Sequence, residues 1–174
     1  RLGEAFGRLG DSAVEALRKI WPTIPDEAQG PALKVLDTVV CSEGVSDEVR
    51  NRTGEFYLET LKGANRIVRG ILMEARLCSH PRLAPEIKRK LCLDFVHHLH
   101  LLRAQRMKEV TVATLARMGP EVSDSLQVSI LKSPYEEERR AAAQALIEIA
   151  LHSPDANAVL SFFQEQEEAD RLPP

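Results

Sequence analysis

The sequence predicts an all-α fold of about eight helices, and three observations carry that reading. Nearly every stretch longer than ten residues repeats apolar side chains at spacings of three and four, and no stretch alternates convincingly at two. Leu, Ala, Glu and Arg dominate while aromatic residues make up 5% of the chain, a balance that favours helix over sheet. Gly119-Pro120, Ser133-Pro134 and Ser153-Pro154 fall between the periodic stretches, where helices stop and start.

Taken in chain order, Asp11 opens a short helix through Val14, Leu17 and Trp21, and Pro25-Asp26 opens another marked by Ala28, Leu33, Leu36 and Val40. From about Ser46 to Leu77 one stripe of Tyr57, Leu61, Ala64, Val68, Ile71 and Ala75 predicts a single long helix. Gly54, Gly63 and Gly70 each weaken it by roughly 1 kcal/mol relative to Ala, and are where it would kink or break. The next helix begins near Pro85 and turns Ile87, Leu91, Phe95, His98 and Leu102 inward.

A short helix with Val112, Leu115 and Met118 is closed by Gly119-Pro120, because Gly accepts the left-handed conformation and Pro cannot continue a helix. Val122, Leu126 and Ile130 mark another short helix that turns at Lys132-Ser133. Then Ser133 reads as a cap, Pro134 as the first helical residue and Glu136 as the return arm of a capping box. The inner face follows as Tyr135, Ala142, Ala145, Leu146 and Ile149, and Ser153-Pro154 stops that helix and caps the last one, through Val159, Phe162 and Phe163. That last helix has an acidic end at Glu165, Glu167, Glu168 and Asp170, and Pro173-Pro174 ends the order.

Residues 131–150, LKSPYEEERRAAAQALIEIA, resemble the turn and second helix of a HEAT or armadillo-like repeat, with Ser133-Pro134 at the turn and Arg139 at the arginine place. AFGRLGDSAVEALRKI is similar to one repeat running into the next, and SDEVRNRTGEF and ATLARMGPEV are fainter echoes. Leu115 and Leu146 stand one plausible repeat length apart. Glu138 departs from the pattern, which usually has an apolar residue before the arginine. The resemblance implies antiparallel helix hairpins stacked as a HEAT-like α-solenoid with long central helices, and a scaffold or binding surface rather than catalytic residues.

The 174 residues suit one domain with a substantial core, taken as a single helical repeat domain over residues 1–172. The opening RLGEAFGRLG reads as the end of a helix under way, so a fragment of a larger protein is expected. Cys41, Cys78 and Cys92 form an odd set without close spacing, which points away from a disulfide framework and toward an intracellular setting, cytoplasm or nucleus. No apolar run reaches the roughly 20 residues that span a bilayer. The Asn51-Arg52-Thr53 sequon lies inside a helical pattern, so glycosylation there is not expected.

Charge is divided along the chain. Residues 62–108 hold eleven basic and three acidic groups, whereas residues 1–61 carry a net charge of -4 and residues 120–174 a net of -7. At about 100° per residue, Lys62, Arg66, Arg69 and Arg76 share the outer face of the long helix, and Arg89 and Arg103 face outward on the next. This cationic surface is the candidate partner-binding site. It would receive an acidic protein segment or, alternatively, the phosphates of a nucleic acid, although aromatic residues for stacking on bases are missing from it.

DFVHHLHLLRAQR, residues 94–106, raises the question of a metal or proton-transfer site. Treated as one helix, its rings diverge: His98 falls on the apolar face, while His97 and His100 point outward in different directions. Asp94 has helical spacing to His97 and His98, and Cys78 and His80 lie in the preceding turn, yet nothing in the sequence brings them together. No phosphate-binding glycine loop or nucleophile motif occurs. The expectation is therefore a non-enzymatic protein-interaction scaffold without a metal or cofactor, with a nucleic-acid-binding solenoid as the alternative.

Overall fold

The computed structural model describes residues 2–102, 104–152 and 156–169, with the backbone alone for 2–8 and 156. Among these residues every regular element is helical: α1 (Leu2–Ile20), α2 (Asp26–Val40), α3 (Asp47–Gly63), α4 (Arg66–Met73), α5 (Pro85–His97), α6 (Gln105–Arg117), α7 (Ser123–Lys132), α8 (Glu136–Leu151) and α9 (Ala156–Glu168), with short 3-10 turns between some of them. None of these helices is long and apolar enough to cross a membrane. The chain divides into two compact units, residues 1–91 and 92–174.

In the first unit, helices two apart in sequence lie side by side and run the same way. Between α1 and α3, Gly10 lies against Val49, Arg52 reaches Asp11 and Glu15, and Arg18 reaches Glu59, so the residue numbers rise together. Between α2 and α4, Gly30 lies against Ile71, Lys34 pairs with Glu74, and Asp37 binds the backbone of Arg76 and Leu77 just past α4. By contrast α2 and α3 run oppositely. The Tyr57 hydroxyl donates to the Leu33 carbonyl at 3.2 Å, while Arg50, near the start of α3, donates to the carbonyls of Ser42 and Val45 beyond the end of α2. Leu33, Leu36, Val40, Phe56, Tyr57, Leu61, Val68 and Leu72 are buried together in this unit.

The second unit is built around α8, which packs on α6, α7, α9 and the 3-10 turn Leu99–Leu101. One helix can serve so many neighbours because Ala141, Ala142 and Ala145 are buried and let backbones approach. Leu115, Met118, Leu126, Ile130, Leu146 and Ile149 fill the rest of the core, as their periodicity predicts. Here too helices two apart run the same way, since Lys108 near the start of α6 pairs with Glu137 at 2.8 Å near the start of α8, and the ends of both line one cavity. Gly119 takes a φ of 89°, the left-handed turn expected before Pro120.

Several expectations need correction. The long helix expected over 46–77 is broken: α3 ends at Gly63, Ala64 is extended, and Asn65 starts a new helix by accepting the N–H groups of Ile67 and Val68 through Oδ1 at 3.1 and 3.0 Å. A second break follows α4, where Ala75 is extended and Arg76–Ser79 form a 3-10 turn. Among the described residues there are therefore nine α-helices where about eight were expected. Yet Tyr57, Leu61, Ala64, Val68 and Ala75 are all buried, because the broken pieces still face one core. The first helix begins at Leu2, so Asp11 lies within it and pairs with Arg52 instead of capping. Asn51 of the sequon accepts the Ala84 N–H at 2.9 Å. Ser153-Pro154, Asp170 and Pro173-Pro174, where a stop, an acidic end and the end of order are expected, fall outside the described residues.

Gly54 does not kink α3. A Cβ at this position would lie 2.7 Å from Ile87 Cγ2 and 3.1 Å from Leu83 Cδ1, so the missing side chain lets another segment come close. Gly54→Ala, a substitution that raises helix propensity, should lower stability by about 1–3 kcal/mol in urea denaturation; a stabilising effect would mean that propensity outweighs the packing.

Candidate functional site

The basic surface begins at the α3–α4 break. Lys62 lies exposed in the last turn of α3, Arg66 exposed in the first turn of α4, Arg69 half-buried one turn later, and Arg76 exposed in the 3-10 turn that follows. The four do not share a face of one helix as expected; they are spread over two helices and a turn because Asn65 and Ala75 redirect the chain. The stretch 62–76 contains a single acidic residue, Glu74, which is taken by Lys34 at 3.6 Å. Elsewhere in this unit Arg18, Arg50, Arg52 and Arg82 each have a carboxylate partner. Lys62, Arg66, Arg69 and Arg76 make no ion pair among the described residues. Arg89 is exposed on α5, and Arg103 lies outside the described residues.

Arg76 is placed by a residue that the sequence pattern did not single out. Asp37, 6% exposed on the inner side of α2, accepts the Arg76 N–H at 3.0 Å and the Leu77 N–H at 2.7 Å. Both its oxygens cap the first turn of the 3-10 segment as an N-cap residue would, although Asp37 lies some forty residues away in sequence. Burial pushes its carboxyl above the ordinary carboxylate range, against the pull of those two donors. A cavity of about 230 Å³ lies beside it, with Lys34, Tyr57, Glu74 and Arg76 in its lining. Cys41, with Sγ 4.0 Å from Asp37, has its thiol pushed up to about 11 by burial and by that carboxylate, which leaves it protonated at neutral pH.

The histidine cluster takes a different form from the one expected. α5 stops at His97 and gives way to a 3-10 turn, so angles extrapolated along one helix do not describe His98 and His100. His97 is exposed. His98 is half-buried, with Nδ1 2.7 Å from the Asp94 carbonyl. The His97 ring lies edge-on to both His98 and His100, with centroids 5.3 and 6.0 Å apart, while His100 also engages α8: its Nδ1 lies 2.5 Å from Oε1 of Glu138, and its ring stacks on Tyr135 with centroids 4.0 Å apart. Among the described residues no group of three or more His, Cys, Asp or Glu side chains is placed to hold a metal ion.

Glu138 is 2% exposed, and its other oxygen accepts the Ser133 hydroxyl. Ser133 in turn accepts the Tyr135 N–H at 3.2 Å, and its carbonyl takes a bond from Arg139. The capping box expected between Ser133 and Glu136 is thus not formed, since Tyr135 occupies the cap position and Ser133 engages Glu138 instead. Tyr135, expected inward, is 43% exposed and covers the His100 ring. Serine, glutamate and histidine meet here with the carboxylate in the middle. A hydroxyl committed to a carboxylate and a backbone N–H is an anchor between chain segments, and the imidazole does not face it as a base would.

Two outcomes test these clusters. Ser133→Ala would strip one of the two partners from a buried carboxylate and should cost about 1–3 kcal/mol in chemical denaturation; a neutral result would mean that Glu138 is not held as described. His80, whose Nδ1 accepts the Arg82 N–H at 3.2 Å, is held below the ordinary histidine value by partial burial and by the Arg50 and Arg82 charges. The folded chain therefore keeps it neutral where the unfolded chain already binds a proton. Its contribution to stability is full above the unperturbed value of 6.5 and is lost as pH falls below it. In urea melts at pH 7.5 and 5.5, His80→Asn, which keeps an acceptor but cannot titrate, should gain on the wild type at the lower pH. A stability difference that does not change with pH would rule this out.

Compared with protein-family models, curated proteins and solved structures, the chain matches none of them, so its function is argued from its own residues.

Proposed function

We propose that this chain is a non-enzymatic HEAT-like α-helical repeat scaffold that works inside the cell and binds another protein through an acidic segment of that partner. The repeat reading is supported by the shared direction of α1 with α3, α2 with α4, and α6 with α8, each pair two apart in sequence. Stacked hairpins have this arrangement, with alternate helices forming two layers. Support for binding over catalysis comes from what the reactive side chains are doing: Asp37, Ser133 and Glu138 are each committed to hydrogen bonds that join chain segments.

The observation that carries the reading is the set of cations at Lys62, Arg66, Arg69 and Arg76, which form no ion pair among the described residues while Arg18, Arg50, Arg52 and Arg82 do. Ile67, next to Arg66 on α4, is 66% exposed, and so is Val35 on α2, which runs parallel to α4. Apolar anchors beside unpaired charge are what a protein interface needs, the first for affinity and the second for orientation and rate. Arg89 and Arg103 extend the basic stretch in sequence. A nucleic acid would use the same cations, and salt dependence separates the two partners.

The test is recovery of partners from cell extract on immobilised protein, with and without nuclease, comparing wild type with Arg66→Glu plus Arg69→Glu. A protein partner retained after nuclease and reduced at least about tenfold by the double reversal is expected. Binding to duplex DNA or RNA that falls steeply with salt, and that the same reversal abolishes, would overturn the scaffold reading in favour of the nucleic-acid alternative.

A further inference from the structure

The second unit holds a cavity of about 490 Å³ between the C-terminal ends of α6 and α8, within the size range of small ligand pockets. Its apolar lining includes Ala116, Gly119 and Ile149, and its polar lining is Arg117, Glu148 and His152. α6 and α8 face one another along their length, and opposite charges behave differently at their two ends. Near the start, Lys108 and Glu137 close on each other at 2.8 Å. Near the end, Arg117 and Glu148 line the same cavity without forming an ion pair.

What holds those two charges apart is local. Arg117 is folded onto its own helix, with Nε donating to the Ala113 carbonyl and Nη2 to Thr114 Oγ1, both at 3.1 Å. That leaves guanidinium N–H groups of Arg117 uncommitted. On the other side, the His152 ring is tied by Nδ1 to the Glu148 carbonyl at 2.9 Å, and the Glu148 carboxylate has no hydrogen bond or ion pair among the described residues. A cation and an anion thus face a shared apolar space, each with hydrogen-bonding capacity unused.

We infer that this cavity binds a short extended segment of a partner protein. The segment sets an apolar side chain against Ala116, Gly119 and Ile149, a carboxylate on Arg117 and a lysine or arginine on Glu148. Charge complementarity selects this occupant, since a ligand of one sign would satisfy one wall and be repelled by the other. In an extended chain, residues i, i+2 and i+4 share one face, so basic–x–apolar–x–acidic spacing, in one chain direction or the other, supplies the three groups. The inference rests on the protein-binding reading and uses none of the basic residues of α3 and α4.

The probes are two capped pentapeptides, acetyl-Lys-Ser-Leu-Ser-Glu-amide and its order-reversed counterpart, titrated into the whole chain and followed by NMR shifts of the alanine methyls. Saturable binding of one order is expected, weakened at least about fivefold by Arg117→Gln and by Glu148→Gln. Exchanging the two charges, Arg117→Glu with Glu148→Arg, should transfer the preference to the other order. Circular dichroism confirms that each variant keeps its helices. Absence of saturable binding for both orders, or binding untouched by the two neutralising substitutions, overturns the inference. Neither outcome touches the α3–α4 surface, whose own test reads the Arg66 and Arg69 reversal.

Discussion

Asp37 sits in α2 with its carboxylate turned inward, and the backbone of Arg76 and Leu77 donates to both its oxygens. A carboxylate in that position is costly to desolvate, and it persists because the two N–H groups would otherwise be stranded at the start of a 3-10 turn. The bond fixes where the chain leaves α4 relative to α2. With Gly30 against Ile71 and Lys34 on Glu74, it sets the parallel register of those two helices. That register in turn decides where Arg66, Arg69 and Arg76 emerge, so the candidate surface depends on a residue that is itself hidden.

The second unit reaches the same end by a different route. Its hub is α8, whose alanines allow close approach on several sides, and whose N-terminal turn carries a buried glutamate. Glu138 gathers Ser133 from the preceding turn and His100 from the 3-10 turn before α6, joining segments that sequence separates by nearly forty residues. An apolar residue at this place would pack without directional demands. The carboxylate instead accepts only partners placed at its two oxygens, which specifies how the segments meet.

Much of this architecture was legible in the residues. The inner faces of α2, α7 and α8 follow the three-and-four spacing, and Gly119-Pro120 stops a helix as its chemistry requires. The long stripe from Tyr57 to Ala75 does mark one face, and the helix expected along it breaks at Gly63, one of the three glycines that weaken it. A periodic stripe records which side of the chain is buried, and it survives a break that turns the next segment back toward the same core. Asn65 was the available local signal for that break, a strong cap residue following Gly63. Ser133 was visible as a hydrogen-bonding residue at a turn, and its choice of Glu138 over the Glu136 position depended on where α8 began.

By itself, the sequence determined that the chain is helical, most of the apolar side chains that lie inside, and that its positive charge concentrates in the middle. These follow from period, composition and order along the chain, which are local properties. Tertiary structure alone decided that helices two apart run in parallel, that Asp37 caps a turn distant in sequence, that His100 pairs with Glu138, and that Arg117 and Glu148 stand apart across a cavity. Each of those needs two groups from separate segments at hydrogen-bonding or near-contact distance. Only the packing of helices against one another brings such groups together, and no periodicity encodes it.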